Sequence, residues 1–158
     1  MSRLPALGPR GEGWVVVQLV LLGAVFVAGL AGPVVNGPLR GLLGVAGAIL
    51  IGGGGYLAFR GLLDLDAALT PLPHPRDGAS LVDTGAYGLV RHPIYGGLVI
   101  AATGYALVAA SALALAGALV LLVFFRLKSG REEAWLRERY PGYAAYAART
   151  KRLLPGIY

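Results

Sequence analysis

The sequence contains no cysteine, which excludes disulfides, thiolate metal sites and a cysteine nucleophile. Histidine is scarce as well: the two copies, His74 and His92, and the scattered carboxylates show no spacing suited to a metal, so no metal site is expected. The most telling scarcity is charge. Asp, Glu, Lys and Arg make up 14% of the 158 residues, whereas an ordinary soluble domain carries about 25%. A soluble fold cannot cover its surface with so little. The charges are also unevenly placed, because Gly13–Leu39, Gly41–Phe59 and Pro93–Phe125 contain none, in runs of 27, 19 and 33 residues. A helix needs about 20 apolar residues to cross a bilayer, so the chain reads as an integral membrane protein with no room for a separate soluble domain. One domain over residues 1–158 is expected.

The first apolar run is too long for the core of a signal peptide and is read as a retained helix. It starts near Trp14, an interfacial anchor, and ends near Ala31, where the helix breakers of Gly32–Pro38 make a turn. The second helix spans about 39–63. Its Gly44, Ala48 and Gly52, at four-residue spacing, are the expected surface for close helix packing. As one straight helix, the 33-residue run would extend about 50 Å, beyond a hydrocarbon core of about 30 Å. It must fold back near Ala109–Ala112, giving a hairpin of 93–109 and 111–127. The expected fold is all-α, with four transmembrane helices (14–31, 39–63, 93–109, 111–127) and C-terminal helices outside the membrane. One covers Arg131–Tyr140, and a short one opened by Pro141 carries Tyr143 and Tyr146. Between the helical pairs, Pro71–Pro75 favours extended backbone, and His74 reads as a loop residue.

The net charge of +6 is best explained by topology rather than by nucleic acid. With the N-terminus cytoplasmic, thirteen of the fourteen Lys and Arg residues and all eight acidic residues fall on the cytoplasmic side, leaving only Arg40 outside. This satisfies the positive-inside rule. The expected location is the inner membrane of a bacterium or archaeon, with both termini cytoplasmic and no nucleic-acid partner.

The densest chemistry is Arg91-His92-Pro93-Ile94-Tyr95-Gly96-Gly97. Pro93 suits the first position of a helix, whose free N–H groups favour an anion. Arg91 adds a planar fork for a carboxylate or phosphate. Gly96 and Gly97 leave backbone open to a ligand. The same residues also fit a positive-inside flank and a helix start. A second group is Glu132 and Glu133 with Trp135, Leu136 and Arg139, of which Glu132, Trp135, Leu136 and Arg139 share a helix face. That face also fits an interfacial helix with its carboxylates in the first turn. Tyr140, Tyr143 and Tyr146 could be an interfacial belt, or aromatic faces that hold a cation.

Read together, Gly85-Ala86-Tyr87, then Arg91-His92-Pro93-Ile94-Tyr95-Gly96-Gly97, an apolar hairpin, and Glu132-Glu133-Ala134-Trp135-Leu136 resemble the signature of isoprenylcysteine carboxyl methyltransferases and their phospholipid methyltransferase relatives. Tyr140-Pro141-Gly142-Tyr143 and Arg152-Leu153-Leu154-Pro155 continue it, so the likeness covers about 71–155. Tyr140-Pro141 departs from the Phe-Gly of many relatives, and the chain is smaller than the eukaryotic enzymes. The resemblance implies methyl transfer from S-adenosylmethionine to a lipophilic acceptor that comes sideways from the bilayer, releasing S-adenosylhomocysteine. It points to His92, Arg91 and Glu132 as catalytic residues. The cofactor would be held by Tyr87, Arg91, His92, Pro93, Tyr95, Gly97, Glu132, Glu133, Tyr143 and Tyr146. Membrane sterol reductases share parts of the C-terminal pattern, which leaves an NADPH-dependent reductase as an alternative. A non-catalytic lipid-binding or assembly protein is another. Neither the acceptor nor the oligomeric state is legible.

Overall fold

The computed structural model describes residues 7–31, 37–65 and 80–158, and everything below concerns these. Residues 32–36 of the turn expected over Gly32–Pro38, and the Pro71–Pro75 stretch with His74, lie outside them. The chain forms six helices: α1 (Glu12–Leu30), α2 (Pro38–Leu65), α3 (Ala86–Leu89), α4 (Pro93–Ala109), α5 (Ala112–Arg139) and α6 (Tyr143–Arg149). No strand occurs among the described residues, and the only extended pairing is an isolated parallel bridge between Val90 and Lys151. The fold is all-helical. Three helices, α1, α2 and α5, are long and apolar enough to cross a membrane, and α4 is a shorter apolar helix.

The hairpin falls where length arithmetic puts it. Ala110 takes a left-handed conformation that ends α4, and the Ser111 hydroxyl accepts from the Ala114 N–H to cap α5. The same hydroxyl donates to Ala28 O at 2.9 Å, and the Tyr105 hydroxyl donates to Phe26 O at 2.8 Å, tying this end of the hairpin to the C-terminal end of α1. Arg40 donates to Val108 O at this same end. The other described charges gather at the opposite end of the bundle, where the candidate site lies.

Two expectations are corrected. The four-residue stripe of α2 is not its packing face: Gly44 and Gly52 meet open space, whereas Gly47, Gly54 and Gly61, spaced by seven, lie against α4. A Cβ on Gly54 would stand 2.6 Å from both Gly97 O and Ala101 N, so the two backbones are in direct contact. Seven residues is close to two helical turns, which keeps a stripe on one face. The second correction concerns α5, which runs unbroken to Arg139 rather than stopping near Leu127. Gly130 inside it costs about 1 kcal/mol of helix propensity. Burial on its flanks opposes that cost, since Lys128, Ser129 and Glu133 are all at most 1% exposed.

The close α2–α4 contact supports a paired prediction. Gly54→Leu would drive a side chain into the α4 backbone, destabilising the protein by at least the 1–3 kcal/mol typical of overpacking, roughly, since backbone cannot move aside. Gly52→Leu, facing open space, is expected to leave the melting temperature of the detergent-solubilised protein unchanged. Equal melting temperatures for the two variants would refute the assigned face.

Candidate active site

The polar end is organised around one carboxylate. Glu133, on the inner face of α5, is fully buried. Its Oε1 accepts from Arg91 Nε at 2.9 Å and Arg152 Nε at 3.1 Å, and His92 Nε2 is 3.3 Å away. Its Oε2 accepts from Arg152 Nη2 at 2.9 Å and Arg137 Nη2 at 3.0 Å. Arg152 therefore grips both oxygens, the fork geometry that makes guanidinium–carboxylate pairs strong. With three guanidiniums around it, Glu133 is held as an anion.

Arg91 connects this carboxylate to the end of the chain. Besides Glu133, its Nη1 donates to Ala147 O at 2.9 Å and to Thr150 O. Next to it, Arg91 N donates to Lys151 O at 2.8 Å and His92 N to Arg152 O at 3.0 Å, which fastens the C-terminal segment along the start of α4. Two of the guanidinium's nitrogens are thus committed within the protein. Gly96 and Gly97 have protein neighbours rather than open faces. A Cβ on Gly96 would meet Leu153 O, and one on Gly97 would stand 2.4 Å from Gly54 O. Gly97 is a packing residue against α2, and Pro93 likewise starts α4 with its ring against Gly61.

Glu132 points elsewhere. Consecutive helical residues are separated by about 100°, so where Glu133 meets the arginines Glu132 meets His92 and Tyr95. Its Oε2 is 3.6 Å from His92 Nδ1, within ion-pair range but beyond a hydrogen bond, and the Tyr95 hydroxyl lies against the carboxylate. The His92 ring stacks on Tyr95, centroids 5.5 Å apart, and Tyr95 stacks on Phe125 at 4.7 Å. His92 is only 5% exposed and sits between the two carboxylates.

α6 closes the other side. The Tyr146 hydroxyl donates to Tyr87 O at 2.8 Å, and Tyr143 meets Tyr146 edge to face at 5.7 Å. Arg149 packs over the Tyr146 ring and pairs with Asp83. Burial, reinforced by nearby carboxylates, pushes the phenols of Tyr87 and Tyr143 above the ordinary tyrosine range. Tyr146 moves the same way, again chiefly through burial and against the pull of Arg91. All three remain neutral donors at physiological pH.

Among the described residues, only three buried side-chain polar atoms lack a hydrogen-bond partner: Glu132 Oε2, the Tyr143 hydroxyl and Arg131 Nε. Unsatisfied buried polar groups are rare and call for a reason. Two of the three belong to residues singled out by motif, one a carboxylate oxygen next to Tyr95 and the other a phenol hydroxyl on α6. A carboxylate acceptor and a hydroxyl fit a ligand that has hydroxyls or an ammonium to donate, and the tyrosine rings suit a cationic centre. No group of three or more His, Asp or Glu residues among those described could hold a metal.

Three polar residues carry no role in the motif reading. Arg152 and Arg137 complete the cage of Glu133. Lys128, 1% exposed, donates to Gln18 Oε1 at 2.5 Å and lies 4.8 Å over the Tyr95 ring. Gln18 was the readable signal, as the one amide in the apolar stretch of α1.

The fold and site together define a helical membrane protein with a buried cluster of carboxylates, arginines, a histidine and tyrosines at one end of its bundle. Residues 42–142 match the family described as Phospholipid methyltransferase. The match covers more than half of the chain, and the chain belongs to that family, one of membrane methyltransferases. It takes in Arg91–Gly97 and Glu132–Glu133 and stops just before Tyr143. No curated protein and no solved structure shows significant similarity to the chain.

Proposed function

We propose that the protein transfers a methyl group from S-adenosylmethionine to a lipophilic acceptor at the membrane face carrying its charges. The observation that carries this reading is the pair of unpartnered buried polar atoms, Glu132 Oε2 next to the His92–Tyr95 stack and the Tyr143 hydroxyl on α6. S-adenosylmethionine, when bound, supplies an electrophilic methyl group on a sulfonium. Glu132 accepts hydrogen bonds from the cofactor's hydroxyls or ammonium, and Tyr143 contributes a neutral hydroxyl. Tyr87, Tyr95 and Tyr146 wall the pocket, excluding water and offering ring faces to positive charge. The first turn of α4, at Pro93, favours an anionic group of the ligand. Arg91 and Glu133 are positioning residues, which hold His92 and the C-terminal segment in place rather than reacting.

In this reading His92 orients the acceptor. A carboxylate acceptor is already ionised and needs no base, whereas a protonated amine must lose a proton, which an imidazole at this place can take. Alignment of acceptor and methyl group is the main catalytic contribution available to such a site. The 17 residues of α4 extend about 26 Å, somewhat less than the hydrocarbon core, and close pairing with α2 supports a fourth crossing. The distribution of Lys and Arg supports cytoplasmic termini. The acceptor then reaches the pocket laterally, from the bilayer.

The deciding measurement is calorimetric titration of the detergent-solubilised protein with S-adenosylhomocysteine and, separately, NADPH. Micromolar binding of the first and none of the second is expected. Binding of NADPH alone would assign the pocket to a reductase, and binding of neither by folded protein would overturn the enzymatic reading. Incubation of native membrane lipid extract with methyl-labelled cofactor then identifies the acceptor by the mass of the labelled product.

A further inference from the structure

Glu133 has a second side. Beyond its Arg91 and Arg152 partners opens a cavity of about 490 Å³, within the range of about 300–1,000 Å³ common for small-molecule sites. Of the described residues that line it, five are cations, Arg91, Arg126, Arg149, Lys151 and Arg152, and none is acidic. Neither Glu132, His92 nor any of Tyr87, Tyr95 and Tyr143 contributes to the wall, so the cavity lies apart from the Glu132 side of the site. The charge is only partly balanced. Glu133 engages Arg91 and Arg152, and Asp83 engages Arg149. Arg126 and Lys151 have no acidic partner among the described residues. Arg126 instead rests over the ring of Tyr158, 5.5 Å from its centroid.

The depth of the cavity selects the kind of anion. Arg126 directly follows the 33-residue charge-free run, so it is the first charge on α5 as that helix leaves the apolar layer. Its neighbours Val123 and Leu127 are 57% and 42% exposed, an apolar flank facing outward. Ile157, on the cavity rim, is 77% exposed. A long cationic side chain at this level keeps its head among the lipid headgroups while its stem lies along apolar surface. We propose that this cavity binds the phosphate of a membrane-lipid headgroup, with Arg126 and Lys151 supplying the uncompensated charge and the Val123–Leu127 flank of α5 receiving the acyl chains. The proposal requires only that α5 crosses the bilayer, and it holds whichever cofactor the other pocket takes.

The test is binding of a short-chain phosphatidylglycerol to the detergent-solubilised full chain without cofactor, followed by native mass spectrometry. Dihexanoylglycerol serves as the phosphate-free control and inorganic phosphate as the lipid-free one. The expected result is saturable binding of the phospholipid that weakens as salt rises and falls at least about tenfold in the Arg126→Gln/Lys151→Gln variant, in keeping with charge-assisted contacts. An Arg126→Lys/Lys151→Arg variant, which keeps both charges, should retain binding. The melting temperatures of all variants, measured alongside, separate loss of the site from loss of the fold. Equal binding of dihexanoylglycerol, or unchanged affinity in the charge-removed variant, would overturn the proposal. Inorganic phosphate competing as tightly as the phospholipid would overturn its lipid assignment.

Discussion

Glu133→Ala is expected to lower the melting temperature by about 6–20 °C and to abolish ligand binding at the same time. Removing one partner of a buried ion pair costs roughly 3–5 kcal/mol, because the remaining charge is left uncompensated. In domains of this size each kcal/mol moves the midpoint by about 2–4 °C. Glu133 is fully buried and serves Arg91, Arg137, Arg152 and His92 together, so the loss falls on several groups at once. Arg91 and Arg152 have side chains only 11% and 24% exposed and cannot simply turn to water. Glu133→Gln should be intermediate: an amide can accept from one guanidinium but sets an N–H₂ against another. A Glu133→Ala protein melting within about 2 °C of wild type would remove the central carboxylate from the account of this fold.

The damage should spread because the interactions around Glu133 join segments distant in sequence. Arg91 ties the start of α4 to the carbonyls that end α6, and the Val90–Lys151 bridge runs beside it. Leu153, fully buried, then lies over α4 at Gly96. The C-terminal segment is held by a seal of backbone contacts that the Glu133 ion pairs lock. Tyr143 and Tyr146 depend on that lock for their place. Loss of the carboxylate should therefore release α6 and open the pocket, even though Glu133 itself leaves no atom unpartnered for a ligand.

The apolar runs made the helices legible, because hydrocarbon thickness fixes span length and 33 residues have to turn. The hairpin at Ala110 and the short helix after Pro141 follow from that arithmetic and from the breaker residues. Which glycines face α4 was not legible. Composition puts small residues on every side of α2, and only the partner helix selects 47, 54 and 61 over 44, 48 and 52. The continuity of α5 was hidden for a similar reason, since Gly130 weakens the local signal and tertiary burial overrides it. At the site, the motif drew attention to Arg91, His92, Glu132 and Glu133 but could not separate the two carboxylates. Adjacency in sequence becomes a turn of about 100° on a helix, and only the surrounding elements show that Glu133 faces three arginines and Glu132 faces Tyr95, with His92 between them. The Lys128–Gln18 pair, 110 residues apart, leaves no local trace beyond a lone amide in an apolar helix.

The same reasoning yields the opposite expectation for the neighbouring residue. Glu132→Gln should weaken S-adenosylhomocysteine binding by about 10–150-fold, the equivalent of a hydrogen bond to a charged group worth roughly 1.5–3 kcal/mol. The melting temperature without ligand should change by much less than in Glu133→Ala. Glu132 Oε2 is buried with no hydrogen-bond partner, an arrangement that costs free energy in the empty protein. A neutral amide of the same shape is cheaper to bury. Against this, the buried Lys128 ammonium loses a nearby negative charge and keeps only the Gln18 amide at 2.5 Å, while His92 keeps Glu133 Oε1 at 3.3 Å. Binding lost while stability holds is the mark of a group maintained for its ligand at the expense of the fold. Calorimetry and thermal denaturation of the one preparation read both quantities. If Glu132→Gln instead melts as low as Glu133→Ala, both carboxylates are structural, and the pocket has lost the acceptor that made it a cofactor site.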